Sequence, residues 1–591
     1  MKKYKMLKKV TFCSSLLLAS TLTSCTDWLT LYPMDKIVEE NFWEDKRDLE
    51  SVRNAVYVNM TTNDCLERYM VWGELRSDNL MENSAVGLSD NLRDISEKVD
   101  IKPQNPYASW SKFYESINYC NKVLQHGPEI LQKDKSFSTV EWEYMKAEMV
   151  ALRALNYFYL IRAFDEVPMV FTAINDDSEV RTQKAVPQSV LLDSLVNQME
   201  YVIKHGKICP NYGNSADNKG LITDKAFYTI LADIYLWRGS LYDGNGEDAK
   251  ADSSYKACIA HCSKVIDLFS EDYKKLSPMS LSQFGADETE RAENKYHLIW
   301  NTGNDRAGLE SNAYNSIFGS GNSFESIFEL QFNGNDVTNA LVGVYYRNSN
   351  GAGSLLPSKI AKAQPAGVDA ENALFSKTDL RRWATVENLK AQDYSIIKYA
   401  AGSIGQPSVS DNTNVSEDDM KPEYSLRSTA NAHWIFYRLP DVLLMKAEAM
   451  CLLKQDAKQI NELLNAVFKR SNPKALPEEL LPVLNYGEEG GNDNIQKQIL
   501  RERNREFYGE GKRWFDIMRY ALRKGYAEGP SAAYSLFKAK YEETQNAGSI
   551  EGKYKQNMKV MYFPYSETEV KANPELVQNP IWNDQSTIQK K

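Results

Sequence analysis

From Val140 the sequence reads VEWEYMKAEMVALRALNYFYLIRAF, which places Ala147, Val150, Ala151, Ala154, Tyr157, Phe158 and Ile161 at helical spacing, so one helix face is buried over 139–165. The helix is expected to stop near Phe164, because Asp165-Glu166-Val167-Pro168 ends in a proline that disfavours helix in the residue before it. A second run, TDKAFYTILADIYLWRG, opens with Thr223 as N-cap, repeats apolar residues at Ala226, Ile230, Ile234 and Trp237, and closes on Gly239. Residues 252–268 form its antiparallel partner, and further helical patterns cover 46–62, 107–126, 188–205, 437–454 and 457–470. Helix pairs with small residues at their crossings predict tetratricopeptide-like packing, although no clean 34-residue period survives the insertions. The expected fold is mostly α: a tetratricopeptide-like helical-repeat scaffold with long irregular loops and a few short strands.

Between about 270 and 435 the character changes to Gly, Ser and Asn clusters with short strand-like pieces such as Ser326-Ile327-Phe328-Glu329-Leu330-Gln331-Phe332. Loops on a helical scaffold are free to vary, so a binding surface is expected there. Material for it is plentiful, since 34 Tyr, 11 Trp and 21 Phe make up 11% of the chain. Most must be core, yet such a stock suits flat amphipathic platforms.

The N-terminus sets the compartment. Lys2, Lys3, Lys5, Lys8 and Lys9 precede an apolar segment from Val10 to Ala19, which at 1.5 Å per residue falls well short of a bilayer core of ~30 Å. It reads as a secretory signal rather than a membrane helix. The signal ends Leu22-Thr23-Ser24-Cys25, which resembles the lipobox of bacterial lipoproteins. That resemblance implies a signal peptide over 1–24 and lipidation of Cys25, whose thiol takes a diacylglycerol and whose freed amine takes a further acyl chain. At ~0.8 kcal/mol per buried CH₂, two or three chains hold a protein to a membrane durably. After the signal no apolar run approaches the length of a membrane span.

A formal net charge of -10, made more acidic by loss of the signal lysines, argues against nucleic acid as a partner. No cofactor is expected. The chain has no H-E-x-x-H, G-x-S-x-G, Walker or G-x-G-x-x-G pattern, and His126, His205, His261, His297 and His433 are scattered. Cys258, His261 and Cys262 stand at helical spacing, but with no fourth ligand they read as buried thiols beside a core helix rather than a metal site. Asp243-Gly-Asn245-Gly-Glu247-Asp248 offers oxygens for Ca²⁺ without the full loop spacing and reads as a helix-connecting turn. In RERNREFYGEGKRWFD, Arg501, Arg503, Arg505, Lys512 and Arg513 alternate with Glu502, Glu506, Glu510 and Asp516, while Gly509 and Gly511 break one helix to start another. The pattern predicts a salt-bridged structural corner rather than a clamp for acidic sugars.

Several segments in this order resemble the SusD/RagB family of Bacteroidetes surface lipoproteins: CTDWLTLYP from Cys25, GELRSDN at 73–79, FDEVPMV at 164–170, ESIFELQF at 325–332 and DLRR at 379–382. They continue with IIKY at 396–399, RLPDVLLMKAEA from Arg438, RERNREFYGEGKRWFDIMRY at 501–520 and the C-terminal YFPYSETEVKANPELVQNP. The resemblance implies tetratricopeptide-like helix pairs packed against a SusC-like TonB-dependent transporter barrel in the outer membrane. By the same resemblance the lipid-anchored protein is expected to face the cell exterior, its loop-rich part capturing a nutrient and delivering it without cleaving it. It further implies an N-terminal part over 25–270 and a C-terminal part over 271–591, together one compact body.

Glycan, as oligo- or polysaccharide, is the first expected ligand; a peptide-binding RagB-type version of the same machine is the alternative, and a surface hydrolase a distant third. If a sugar face covers about 50 Å² of ring at ~25 cal/mol/Å², each platform contributes roughly 1.2 kcal/mol, so several rings must act together. The resemblance puts the ligand loops at 76–108 and about 276–322. Arg76, Asn79, Tyr107, Tyr296, Trp300 and Tyr314 are the candidate ligand-binding residues taken from them. Trp110 and Tyr114 share a helical spacing with Ile117 and read as core.

Overall fold

Ten helices carry the scaffold in the computed structural model, which describes residues 42–582 apart from 177–178, 180, 302–311, 362–372, 376–378, 388–394, 408–421, 474 and 543. The signal segment and Cys25 lie outside the described residues. The first helices are α1 (Lys46–Met60), α2 (Ser111–Lys133), α3 (Thr139–Phe164), α4 (Gln188–His205), α5 (Asp224–Gly244) and α6 (Asp248–Tyr273). After a loop-rich stretch come α7 (Leu439–Leu452), α8 (Ala457–Ser471), α9 (Gly491–Phe507) and α10 (Arg513–Arg523).

Local chemistry fixes the ends of α3. Ser138 accepts the Glu141 backbone N–H while the Glu141 carboxylate accepts that of Ser138, so two orphan donors are satisfied at the N-terminus. At the other end Asp165 is the C-cap and turns the chain with φ +72°, its N–H bound to the Ile161 carbonyl, three residues before Pro168. The sequence predicts one buried face for α3, but from Ala147 to Phe164 the helix is buried on every side. It lies between α2 and α4 and also touches α5, which is where a helix apolar all round belongs.

Gly239 is a correction of a different kind. It does not close α5, which runs on to Gly244; it sits instead where α6 crosses, and a Cβ there would lie 2.5 Å from Tyr255 Cε1. The small residue serves the crossing and not the cap. Asp243 to Glu247 form the turn between α5 and α6, with Gly246 at φ +74° and the Asp243 carboxylate accepting the Tyr255 hydroxyl at 3.2 Å.

The scaffold closes on itself. Going along the chain, α1 packs on α2, α2 on α3, α3 on α4, α5 on α6, α6 on α7 and α7 on both α8 and α9, while α10 returns to α5. Helix contacts therefore cross the boundary near residue 270 at several places, α5 touching α7 as well. Among the described strands, β1 (Ser326–Leu330) and β2 (Trp434–Arg438) pair antiparallel, Trp434 opposite Leu330 and Arg438 opposite Ser326. Because β2 runs straight into α7, the pair ties the loop-rich stretch to the helical body.

The predicted corner is a buried charge network. Glu506 accepts from Arg381, Arg438 and Arg470, and Glu510 from Arg438 and Lys398, all of them nearly sealed from solvent. Arg519 joins Glu448 to Asp516 at 2.7 and 2.8 Å, and Arg503 reaches Asp516 at 2.8 Å. The three arginines hold Glu506 ionised far below the ordinary carboxylate range against the cost of its burial. Each ion is expensive to bury alone and is tolerated because its partners are fixed around it.

Candidate functional site

Five of the six expected ligand residues prove to be internal. Arg76 is fully buried, donates to the backbone carbonyls of Met561 and Val560 at 2.7 Å each, and stacks on Trp514 at 4.3 Å. Asn79, equally buried, donates its side-chain amide to Glu74 at 2.6 Å, and its backbone carbonyl accepts the Tyr508 hydroxyl. Tyr107 donates to Glu67 at 3.0 Å and meets the Tyr345 hydroxyl at 3.2 Å. Tyr314 donates to the carbonyls of Ile397 and Ala401 at 3.0 and 3.2 Å. Trp300 is 6% exposed, its backbone N–H bound to the Gln283 carbonyl at 2.7 Å. These five are corrected to core and lid packing: they are buried and held by other parts of the chain, with only Arg76 Nε and Asn79 Oδ1 among the five left buried without a hydrogen-bond partner. Tyr296 alone is half-buried, with the Lys295 ammonium 5.4 Å from its ring centre. The structure does not gather the six into one site.

Two other sequence features resolve as structural. Cys258 and Cys262 are buried with sulfurs 4.0 Å apart, while His261 turns away to Glu200 at 3.0 Å and stacks between Tyr228 and Tyr235. Burial pushes the Cys258 thiol well above its ordinary range, which suits a thiol and not a metal ligand. A cavity of about 40 Å³ lies beside Glu506, Arg438 and Lys398, room for water and not for a sugar or a peptide.

A larger cavity lies elsewhere. A groove of about 560 Å³ opens between α2, α3 and α4 and is covered at one side by the strap 170–174. Its floor is α3, recessed because α2 and α4 both pack against it. The strap is pinned from below: Asn118 exchanges hydrogen bonds with Ile174 at 2.7 and 2.8 Å, and Asn121 donates to the Val170 and Thr172 carbonyls at 3.1 and 3.0 Å. Tyr157 donates to the Val170 carbonyl at 2.8 Å and accepts its N–H at 2.7 Å.

The groove combines rings, amides and cations. Tyr201 projects from α4 with 57% of its surface exposed; among the described residues Tyr526 is the other exposed aromatic, at 40%. Lys146 lies 5.8 Å from the Tyr201 ring centre, and Arg153 lies 4.8 Å from that of Phe171. The Gln125 and Asn197 amides at the rim are free of hydrogen bonds within the described residues. No carboxylate, serine, cysteine or histidine side chain lines the groove. Sequence reasoning missed this site because Tyr201 and Arg153 sit on helices that read as scaffold and Phe171 on a short connecting strap. The signal present was Arg153, a cation in the middle of the apolar face of α3.

Comparison with known proteins gives one consistent answer over the length of the chain. Residues 412–582 match the model of the SusD family, and residues 1–236 match a model described as "Starch-binding associating with outer membrane". SusD-like protein P38 of Formosa agariphila is 23% identical over 529 residues, covering 88% of this chain and 92% of that protein. Among solved structures, a SusD superfamily protein from Bacteroides thetaiotaomicron superposes with a TM-score of 0.60 at 20% identity, over 92% of this chain and 99% of that one. B. fragilis NanU gives 0.60 at 17% identity, over 93% and 100%. Surface glycan-binding protein A from Bacteroides uniformis gives 0.59 at 17%, over 91% and 100%. The shared fold is the tetratricopeptide-like helical scaffold with few short strands.

Proposed function

Because the chain belongs to the SusD/RagB family, we propose that it is a cell-surface, glycan-binding lipoprotein that hands oligo- or polysaccharide to a SusC-like TonB-dependent transporter in the outer membrane. The observation that carries the glycan reading is the groove over α3. An exposed ring offers an apolar face to the C–H face of a sugar, while amides at the rim and guanidinium and ammonium groups inside suit its hydroxyls. A structural relative bears the name surface glycan-binding protein, which supports the same choice.

Binding without cleavage is the consistent chemistry. Glycoside hydrolysis ordinarily needs two facing carboxyl groups, and this groove presents none among its lining residues. The description of the model that residues 1–236 match, starch-binding and associating with the outer membrane, supports the location, and the transporter partner is inferred from the family.

Calorimetry of the purified protein against panels of oligosaccharides and peptides tests the reading. Oligosaccharide affinity is expected to rise over the first few sugar units and then level off as the groove fills, because each platform adds only about 1 kcal/mol. Binding confined to peptides would move the protein to the RagB-type alternative, and release of reducing ends on incubation would make it an enzyme.

A further inference from the structure

Arg153 is a buried cation without an anion. It is 6% exposed, and its two terminal nitrogens donate to neutral amide oxygens, Nη1 to Asn121 at 2.7 Å and Nη2 to Gln198. Its Nε donor is buried with no hydrogen-bond partner, and no carboxylate pairs with the guanidinium among the described residues. Arg162, on the same helix, shows the ordinary arrangement, with Asp233 at 3.7 Å. Arg76 also lacks a carboxylate and has an unpartnered Nε, but it is fully buried and held by two backbone carbonyls and the Tyr554 hydroxyl. Arg153 instead lines the open groove.

An unpaired buried charge is costly, and the cost falls when a partner of opposite sign arrives. The surroundings hold the guanidinium ready for one. Asn121 gives its oxygen to Arg153 and its nitrogen to the strap carbonyls, so the residue that orients the cation also fixes the wall of the groove. Lys146 adds a second positive charge on the same helix, about two turns away, with only a loose contact to Glu143 at 3.7 Å. Phe171 and Tyr201 supply ring faces on either side.

We propose that the groove between α2, α3 and α4 is a subsite for an acidic sugar, whose carboxylate pairs with Arg153 while its ring packs on Tyr201 or Phe171. The proposal rests on the glycan reading and names its class: uronate-bearing oligosaccharides over their uncharged counterparts. The overall acidity of the chain does not oppose it, because charges beyond about 8 Å are screened at physiological salt and the groove itself is lined by two cations and no carboxylate. A carboxylate entering the groove can draw the guanidinium from the neutral amide oxygens of Asn121 and Gln198 into a directed, charge-assisted hydrogen bond, an exchange that an uncharged hydroxymethyl cannot match.

The test titrates the intact protein with tetragalacturonate, with a neutral tetrasaccharide series and with a glutamate-rich peptide. The expected result is tightest binding to the uronate, weakened at least tenfold in Arg153→Met and several-fold in Tyr201→Ala. A weakening on raising salt from 50 to 300 mM should accompany it. Tyr201 is at the surface, so its variant keeps the test valid if Arg153→Met unfolds. Neutral oligosaccharides binding as tightly as the uronate, or uronate binding untouched by Tyr201→Ala and Lys146→Ala, would overturn the proposal and leave the glycan reading standing. Binding of the acidic peptide alone would overturn both.

Discussion

Lys540 sits where a charge is least welcome, its ammonium donating to the carbonyls of Leu75 and Ser77 at 2.7 and 2.9 Å. Burial depresses its pKa from the ordinary lysine value to about 7, partly offset by the Asp78 and Glu97 carboxylates. The folded group therefore releases its proton at a lower pH than the unfolded one, so between about pH 7 and 10.5 the unfolded chain binds more protons. Stability must rise with pH across that window, by up to ~1.4 kcal/mol per unit from this residue. Urea melts of wild type and Lys540→Met at pH 7, 8 and 9 isolate the effect. Wild type should gain about 1 to 2 kcal/mol on the variant over that range, and a constant difference would show that Lys540 does not titrate there. Glu74, which burial raises to about 6, changes charge below the range and leaves the comparison clean.

At the scale of elements, the turn Val71–Leu75 is pressed against the break between α9 and α10. A Cβ on Gly73 would lie 1.8 Å from the Gly511 carbonyl oxygen, and Gly511 itself holds φ +72°. The obstacle is backbone on both sides, so Gly73→Ala should cost at the upper end of the usual 1 to 3 kcal/mol for overpacking, or more. Denaturation midpoints read it, and a variant as stable as wild type would mean that the two turns separate easily. This contact also shows why the helices were legible in the sequence and the site was not. The predicted 188–205 coincides with α4, and α3 ends where its proline foretells, because a helix is written in residues three and four apart. Arg76 looked like a loop residue because its partners, Met561 and Val560, stand almost five hundred positions away. Burial by a distant segment leaves no mark on local periodicity. Tyr201 and Arg153 were hidden for the opposite reason: they stand on well-formed helices, where a ring or a cation reads as packing.

For the whole molecule the open matter is how a helical body stays at the membrane and passes on its cargo. Among the described residues no helix is long and apolar enough to cross a bilayer, so on the proposed reading attachment falls to lipid on Cys25. Two or three acyl chains at ~0.8 kcal/mol per buried CH₂ exceed what a single chain holds, and the bond should survive washing with salt or carbonate. Cys25→Ala should then leave the membrane fraction or retain its signal segment, read by fractionation and by the mass of the mature N-terminus. A variant still acylated and membrane-bound would refute lipidation at Cys25. Delivery demands a second element, because a tethered scaffold has no channel of its own on this reading. Mild detergent extraction of the wild type should bring down a TonB-dependent barrel, and deletion of that barrel should abolish uptake of the bound glycan while surface binding persists. If uptake continues without the barrel, the protein captures its ligand for some other consumer, and the groove over α3 would have to be understood as a surface trap rather than as the first station of a transporter.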